Sequence, residues 1–485
     1  MNNISITNKI MNGAIWSLIQ TILLKVISFG SQILLAWILL PNDFGKIALV
    51  YTITNISSLM QQFGLQDVLI KRGNSFKLWL PLSFGMITSV AFLSVIIAII
   101  AGYFGGYFYD DYDIFYLVAI FSISMPFQAL SIIPDTFLKI NLKFKQISII
   151  KIFEVFLIQL GTIIFALLNF GVMSFVLPMV IVAILRCAYL FYYTKLNLII
   201  PSLKKWKYLT YNSIQGLFFA IFSRLSMQVD VMILGVISSQ AIVGVYFMGM
   251  TLSTQVIGLL GVTLPTVLFP ALMSYAGKDL NQVKVPLQKV IIFMSLIGVP
   301  FACWQAVNAK PLITLFLSEK WIPSIIFVQI LSIGMVFRLI SSSWVVPLKL
   351  NGDFKEMSNV TFISLIQLLI IIIPLAYFFE EYGVAIGVSL FYLVNTPYLI
   401  YKGFKSYNIN YNFIVMNCLK IILISFVSFG TTFYLSETIY VFQNSSFYNL
   451  IINTFLSTLI YILLVNIFMK DFLVELLFKI KNYKR

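Results

Sequence analysis

Lys25 and Arg224 stand deep inside two long apolar stretches, each about a dozen residues from either end. At 1.5 Å per residue that is roughly 18 Å, too deep for the side chain to snorkel to water. A charge at the bilayer centre costs about 2.5–3.5 kcal/mol on insertion scales, so such residues need a task. Arg338 lies at similar depth in a later stretch. Cations gathered around a cleft make an anion site: guanidinium grips phosphate oxygens in pairs, and ammonium acts as a point charge. Lys25, Arg224 and Arg338 are therefore the candidate ligands of a bound anion. The alternative is an internal ion pair with Asp230, but six residues from Arg224 places it well round the helix. Asp230 and Glu154 are candidates to carry a coupling proton or cation, as mid-membrane carboxylates do in pumps. Glu154 and Arg186 lie at similar depths of consecutive stretches and suit each other as partners, whereas Lys420 lies near enough to a helix end to snorkel.

Polar residues accompany these charges. Ser17, Thr21, Lys25, Ser28 and Gln32 recur at helical spacing, so Lys25 belongs to a stripe turned away from lipid. Asn55 lies in the next stretch, Thr251 and Gln255 in its counterpart 199 positions on, and Gln128 stands 210 positions before Arg338. Such hydroxyls and amides either join helices or suit a hydroxyl-rich ligand.

The elements that must position them are membrane helices. Of 485 residues, 60% are hydrophobic and 10% charged, against about 25% charged in soluble domains. Stretches near the roughly 20 residues that span a bilayer predict about fourteen helices, at 13–39, 44–64, 79–103, 114–134, 147–168, 172–194, 211–236, 241–271, 287–307, 323–347, 358–379, 383–402, 413–435 and 448–469. Pro265 and Pro347 are expected to kink or stop their helices. Two self-matches give the organisation. Leu138-Lys139-Ile140-Asn141-Leu142-Lys143-Phe144-Lys145 returns as Leu348-Lys349-Leu350-Asn351-Gly352-Asp353-Phe354-Lys355, and Leu35, Gly45 and Thr52 meet Leu234, Gly244 and Thr251. The expected fold is an all-α polytopic membrane protein: two six-helix bundles, 1–205 and 206–408, related by a pseudo-two-fold along the membrane normal. A helix pair and basic tail, 409–485, follow.

The net charge of +15 follows from topology. Lys and Arg collect in alternate connections, among them Lys71, Arg72 and Lys77, then Lys139, Lys143 and Lys145, then Lys204, Lys205 and Lys207, and in the tail. The opposite loops carry Lys46, Lys310 and Lys320 beside acidic Asp110, Asp111, Asp113, Glu380 and Glu381. Both termini are thus expected in the cytoplasm, and nucleic acid is not an expected partner. The chain has no histidine, which removes His-ligated metals and His bases. Its three cysteines fall in apolar stretches and read as buried hydrophobes. No Walker-type loop and no nucleophile motif is present, so no catalytic residue, metal or cofactor is expected.

Short motifs complete the pattern: Asn12-Gly13-Ala14-Ile15-Trp16-Ser17, Leu40-Pro41-Asn42-Asp43-Phe44-Gly45, Gln228-Val229-Asp230-Val231-Met232-Ile233-Leu234-Gly235, Val243-Gly244-Val245-Tyr246 and Phe269-Pro270-Ala271-Leu272. Together they resemble the polysaccharide exporters of the multidrug/oligosaccharidyl-lipid/polysaccharide superfamily, the Wzx-type flippases of bacteria, over essentially the whole length. The resemblance implies a flippase that carries undecaprenyl-diphosphate-linked oligosaccharide from the inner to the outer leaflet of the bacterial plasma membrane. It implies alternating access of two bundles, in O-antigen, capsule or exopolysaccharide biosynthesis. Membrane lipid, a coupling proton or sodium ion, and a polymerase or export machinery are its implied partners. Two rivals stand beside it. A multidrug antiporter of the same superfamily would favour acids over cations in the cleft. A membrane-embedded glycan polymerase usually needs a large outer loop, and the longest here, near 308–322, has about fifteen residues.

Overall fold

Apolar stretches of this length satisfy their backbone polar groups internally, so in lipid they become helices. The computed structural model describes residues 2–62, 66, 69–70, 73, 76–196, 217–255, 258, 281–405, 411–438 and 446–470, and among these it holds helices and turns but no strand. The helices are α1 (Asn2–Ile38), α2 (Pro41–Ser57, continued by a 3-10 turn Ser58–Gln62), α3 (Phe76–Phe108), α4 (Tyr112–Ser122), α5 (Ser124–Ile140), α6 (Phe144–Leu167) and α7 (Met173–Thr194). There follow α8 (Leu217–Ser226), α9 (Val229–Ile237), α10 (Gln240–Ser253), α11 (Asn281–Val307), α12 (Ala309–Phe316), α13 (Ser324–Ser341), α14 (Val345–Asn351), α15 (Phe354–Phe404), α16 (Tyr411–Thr438) and α17 (Ser446–Phe468).

Among the described residues, 10 helices are long and apolar enough to cross a membrane, or 11 if the bent pair α8–α9 is one span. The expected fourteen exceeds this count for three visible reasons. α2 has only 17 helical residues. The stretch 241–271, with Pro265, is described only in its first part. α15 counts once although its 51 residues would run about 76 Å, more than twice the hydrocarbon core. It is interrupted at Glu380 (φ 50, ψ −131). A Cβ on Gly383 would lie 1.9 Å from the Leu375 carbonyl oxygen, so the chain doubles back tightly there. Its arms correspond to the expected stretches 358–379 and 383–402.

Two expected helices are interrupted. The stretch 114–134 breaks between Ser122 and Ser124; Pro126 cannot tolerate the carbonyl four residues earlier, that of Ser122. The stretch 211–236 bends by 43° between α8 and α9. No proline or glycine causes that bend. Asp230 in the first turn of α9 favours a fresh helix start there. α13 stops at Ser341 and α14 restarts at Val345, three turn residues that accommodate Pro347.

The two copies of the eight-residue repeat make the same turn. α5 ends at Ile140, Asn141 follows, and Leu142 takes a left-handed conformation (φ 53) before α6 opens at Phe144. α14 ends at Asn351, Gly352 is left-handed (φ 76), and α15 opens at Phe354. One sequence pattern therefore encodes one helix–helix connection twice.

The chain forms two compact units. The first comprises Met1–Phe247 and Asp353–Val384, the second Met248–Gly352 and Ala385–Arg485. In the first, α1 lies along α6, α7 packs on α5 and α6, and α3 packs on α4 and α5 around Leu69, Phe76, Phe84, Ile87 and Ile133. In the second, α11 packs on α13 and α16, and α16 on α17, around Ile292, Val299, Val336, Phe404 and Ile421. The usual polarity is inverted. Leu78, Tyr192, Tyr377 and Phe455 are exposed, whereas Thr52, Ser94, Ser124, Ser174 and Ser332 are buried. That is the arrangement lipid requires, with hydroxyls returned to their own helix: Thr54 Oγ1 donates to the Val50 carbonyl at 2.8 Å and Ser57 Oγ to that of Ile53 at 2.9 Å.

Candidate functional site

The α1 stripe forms as its spacing predicts. Thr21 donates to the Ser17 carbonyl at 2.8 Å, and Thr21, Lys25, Ser28 and Gln32 are half-buried while Ser17 is exposed. One position before Gln32, Ser31 joins α1 to α6 through a 2.5 Å hydrogen bond to Gln159 Oε1.

Ser28, Asn55, Gln128 and Glu154 meet in one place. They line a cavity of about 790 Å³ within the first unit, together with Gln61, Gln66, Asp135, Lys151, Gln159 and Arg186. That volume lies in the roughly 300–1,000 Å³ range of small-molecule sites. Gln128 is held by its amide, which donates to Ser124 Oγ at 2.9 Å, and Gln61 by donation to Ser94 Oγ at 3.0 Å. Each keeps its carbonyl oxygen as an acceptor.

An ion cluster closes one wall. Arg186 of α7 binds Asp135 of α5 at 2.5 Å and stands 3.1 Å from Glu154 of α6; Lys151 is 2.9 Å from the same Glu154 oxygen. The expected Glu154–Arg186 pair is present. Its two facing atoms, Glu154 Oε2 and Arg186 Nε, are buried and close but not aligned as a hydrogen bond, so each retains bonding capacity. Asp135 is the member sequence reasoning passed over, because it lies one residue past the expected end of its stretch. The signal was present: Ser124, Gln128, Ser131 and Asp135 recur at helical spacing, as the α1 stripe does.

The other candidates have other surroundings. Lys25, one turn before Ser28, is not among the described lining of this cavity, nor is Arg224. Arg224 is half-buried on α8, and its carbonyl accepts from Met227 at the bend, at 3.0 Å. Asp230 is buried at the start of α9, where Tyr246 donates to Oδ2 at 2.7 Å and the Val231 amide to Oδ1 at 2.9 Å. Next to it, Gln228 Oε1 accepts from Thr52 at 2.9 Å. In the second unit Arg338 holds its guanidinium 5.3 Å above the Tyr392 ring, with Nη1 3.8 Å from Met335 Sδ. That nest orients the cation without neutralising it. Thr251 and Gln255 lie one turn apart, the Gln255 amide donating to the Thr251 carbonyl at 3.0 Å. Lys420 is exposed, and Cys187, Cys303 and Cys418 are buried free thiols.

Residues 34–326 match a family model described as polysaccharide biosynthesis protein. No curated protein sequence matches the chain. Among solved structures, the lipid II flippase MurJ in an inward closed conformation superposes with TM-score 0.78 at 16% identity, over 95% of this chain and 99% of that one. An inward-facing multidrug-resistance MATE transporter of the MOP superfamily gives TM-score 0.59 at 13% identity, over 81% of this chain and 98% of that one. A mutant of the Vibrio cholerae MATE transporter VcmN gives 0.56 at 12% identity, over 83% and 97%. At these identities the likeness is one of fold: an all-helical chain with many helices long and apolar enough to cross a membrane.

Proposed function

We propose a function for a chain that belongs to the polysaccharide biosynthesis protein family: it is a flippase, not an enzyme. It carries an undecaprenyl-diphosphate-linked oligosaccharide from the inner to the outer leaflet of the bacterial plasma membrane, for O-antigen, capsule or exopolysaccharide biosynthesis. The observation that carries this reading is a MurJ-like fold along 95% of a chain of that family.

In this mechanism the repeats 1–205 and 206–408 rock by alternating access, the pair 409–485 is an addition to them, and both termini stay cytoplasmic. Lys25, Arg224 and Arg338 hold the diphosphate, whose two charges suit deep cations. Ser17, Thr21, Gln32, Thr251 and Gln255 line its path. Glu154, joined to Arg186 yet with bonding capacity left, is the stronger candidate for a coupling proton or sodium ion. Asp230 already has two donors on its carboxylate. A polymerase or export complex would take the product.

Deleting the gene and locating the lipid-linked oligosaccharide with a membrane-impermeant glycan probe tests the reading. Build-up on the cytoplasmic face, rescued by wild type but not by Lys25→Ala/Arg224→Ala, is expected. Unchanged surface glycan with no build-up would overturn it and favour a multidrug antiporter. The similarity to MATE structures and the acids of the first-unit cavity support that second reading.

A further inference from the structure

We propose that the first-unit cavity is a sugar pocket that takes an uncharged, hydroxyl- or N-acetyl-bearing ring and discriminates against acidic sugars. The assignment rests on reading the chain as a carrier of lipid-linked glycan, and it names the part of the glycan that this unit grips.

The lining supplies the chemistry. Asn55, Gln128 and Gln159 come from α2, α5 and α6, so amides reach the cavity from three directions. A primary amide offers two donors and an acceptor with two lone pairs, the complement of a ring hydroxyl that both donates and accepts. Gln128 is fixed by Ser124 and Gln159 by Ser31, at 2.9 and 2.5 Å. Their orientation is therefore set before a ligand arrives, which lowers the ordering cost of binding.

Charge decides the class of ring. Asp135 and Glu154 balance Arg186 and Lys151 within the same wall, and each cation already faces a carboxylate within 3.1 Å. The wall therefore has no spare cation for an anion. Glu154 Oε2 and Arg186 Nε are buried and in ionic contact at 3.1 Å but not aligned as a hydrogen bond, so the wall offers a ligand one acceptor and one donor while its charges cancel. A sugar hydroxyl, which both donates and accepts, suits that pair; a uronate would add a third carboxylate beside two whose cations are already engaged.

Saturation-transfer NMR on the full chain in lipid nanodiscs reads millimolar binding directly. The probes are methyl β-glucoside, methyl N-acetyl-β-glucosaminide and methyl β-glucuronide, with empty nanodiscs and the exposed-site variant Lys420→Gln as controls. At least one neutral glycoside should give a signal about fivefold above the glucuronide, and Gln128→Leu should weaken it about tenfold. Ala183 also lines the cavity; Ala183→Phe fills the space while leaving every amide in place, so it should abolish the signal even if Gln128→Leu folds poorly. A signal unchanged in Ala183→Phe, a glucuronide that binds best, or no signal from either neutral ring overturns the pocket. If cells still build up lipid-linked glycan on deletion, the flippase reading survives that failure. Conversely, Gln128-dependent sugar binding without build-up would leave the pocket standing and remove the flippase.

Discussion

Gly45 and Gly244 are equivalent positions of the two repeats, and in the folded chain they meet each other. A Cβ on Gly45 would lie 1.7 Å from the Gln240 carbonyl oxygen and 3.0 Å from the Gly244 nitrogen. A Cβ on Gly244 would lie 1.8 Å from the Pro41 carbonyl oxygen and 2.8 Å from the Gly45 nitrogen. Pro41 and Gln240 are themselves 199 positions apart, so the contacts exchange under the repeat. Reciprocal contacts of this kind are what a two-fold axis through the α2–α10 crossing produces. Asp111 binds both sides, accepting from Gln240 at 2.7 Å and pairing with Lys46 at 2.8 Å.

Alanine at either glycine must push the two backbones apart, since the obstructing atom is a carbonyl oxygen rather than a mobile side chain. Gly45→Ala and Gly244→Ala should each cost about 3 kcal/mol, the upper end of the overpacking range. The double variant should cost clearly less than the sum, because the first methyl has already opened the crossing. Thermal unfolding of the detergent-solubilised protein measures all three; additive losses would mean the two sites do not share one contact.

The ion cluster makes the opposite kind of prediction. Arg186→Met leaves Asp135 and Glu154 facing each other with Lys151 beside only one of them, and should cost about 3–5 kcal/mol. The triple variant Arg186→Met/Asp135→Asn/Glu154→Gln removes the stranded charges and should regain most of that loss. Folded yield and unfolding temperature report it; a triple variant no better than Arg186→Met would show that the guanidinium acts through packing alone.

Much of this architecture was legible because it is local. The α1 stripe follows from helical spacing, and the self-match of 138–145 with 348–355 marks the two segments that make the same turn. Offset comparison also named Gly45 and Gly244, but their mutual contact depends on how distant helices cross, which periodicity does not encode. Arg338 shows the same limit: Tyr392, whose ring receives its guanidinium, is far along the chain, and no local pattern joins them. Asp135 was missed for a smaller reason, a boundary placed one residue early. The bend before α9 escaped because its cause is a helix start at Asp230, not a proline.

At that bend, Tyr246 donates to Asp230 in a buried setting, a charge-assisted bond at a helix N-terminus. Tyr246→Phe removes the donor and leaves the carboxylate buried, so it should cost about 1–3 kcal/mol. Asp230→Asn keeps an acceptor for the hydroxyl and should cost less. If unfolding temperatures rank the other way, the charge of Asp230 rather than its hydrogen bond holds α9 in place.

The paired turns give a test of backbone strain with a built-in comparison. Leu142 and Gly352 occupy the same left-handed position of the repeat, at φ 53 and φ 76. A side chain there costs roughly 1–2 kcal/mol, whereas glycine adopts it freely but loses more entropy on folding, about 0.5–1 kcal/mol. Nothing lies within 4 Å of where a Cβ on Gly352 would stand, so Gly352→Ala adds strain without a clash. Gly352→Ala should therefore lower stability by about 1 kcal/mol, and Leu142→Gly should raise it by about 0.5 kcal/mol, less whatever apolar burial the leucine contributes. Chemical-denaturation midpoints of the two single variants and their combination decide it. A stabilising Gly352→Ala would mean that the turn is not left-handed in the folded protein, and the structural equivalence of the two repeat segments would fall with it.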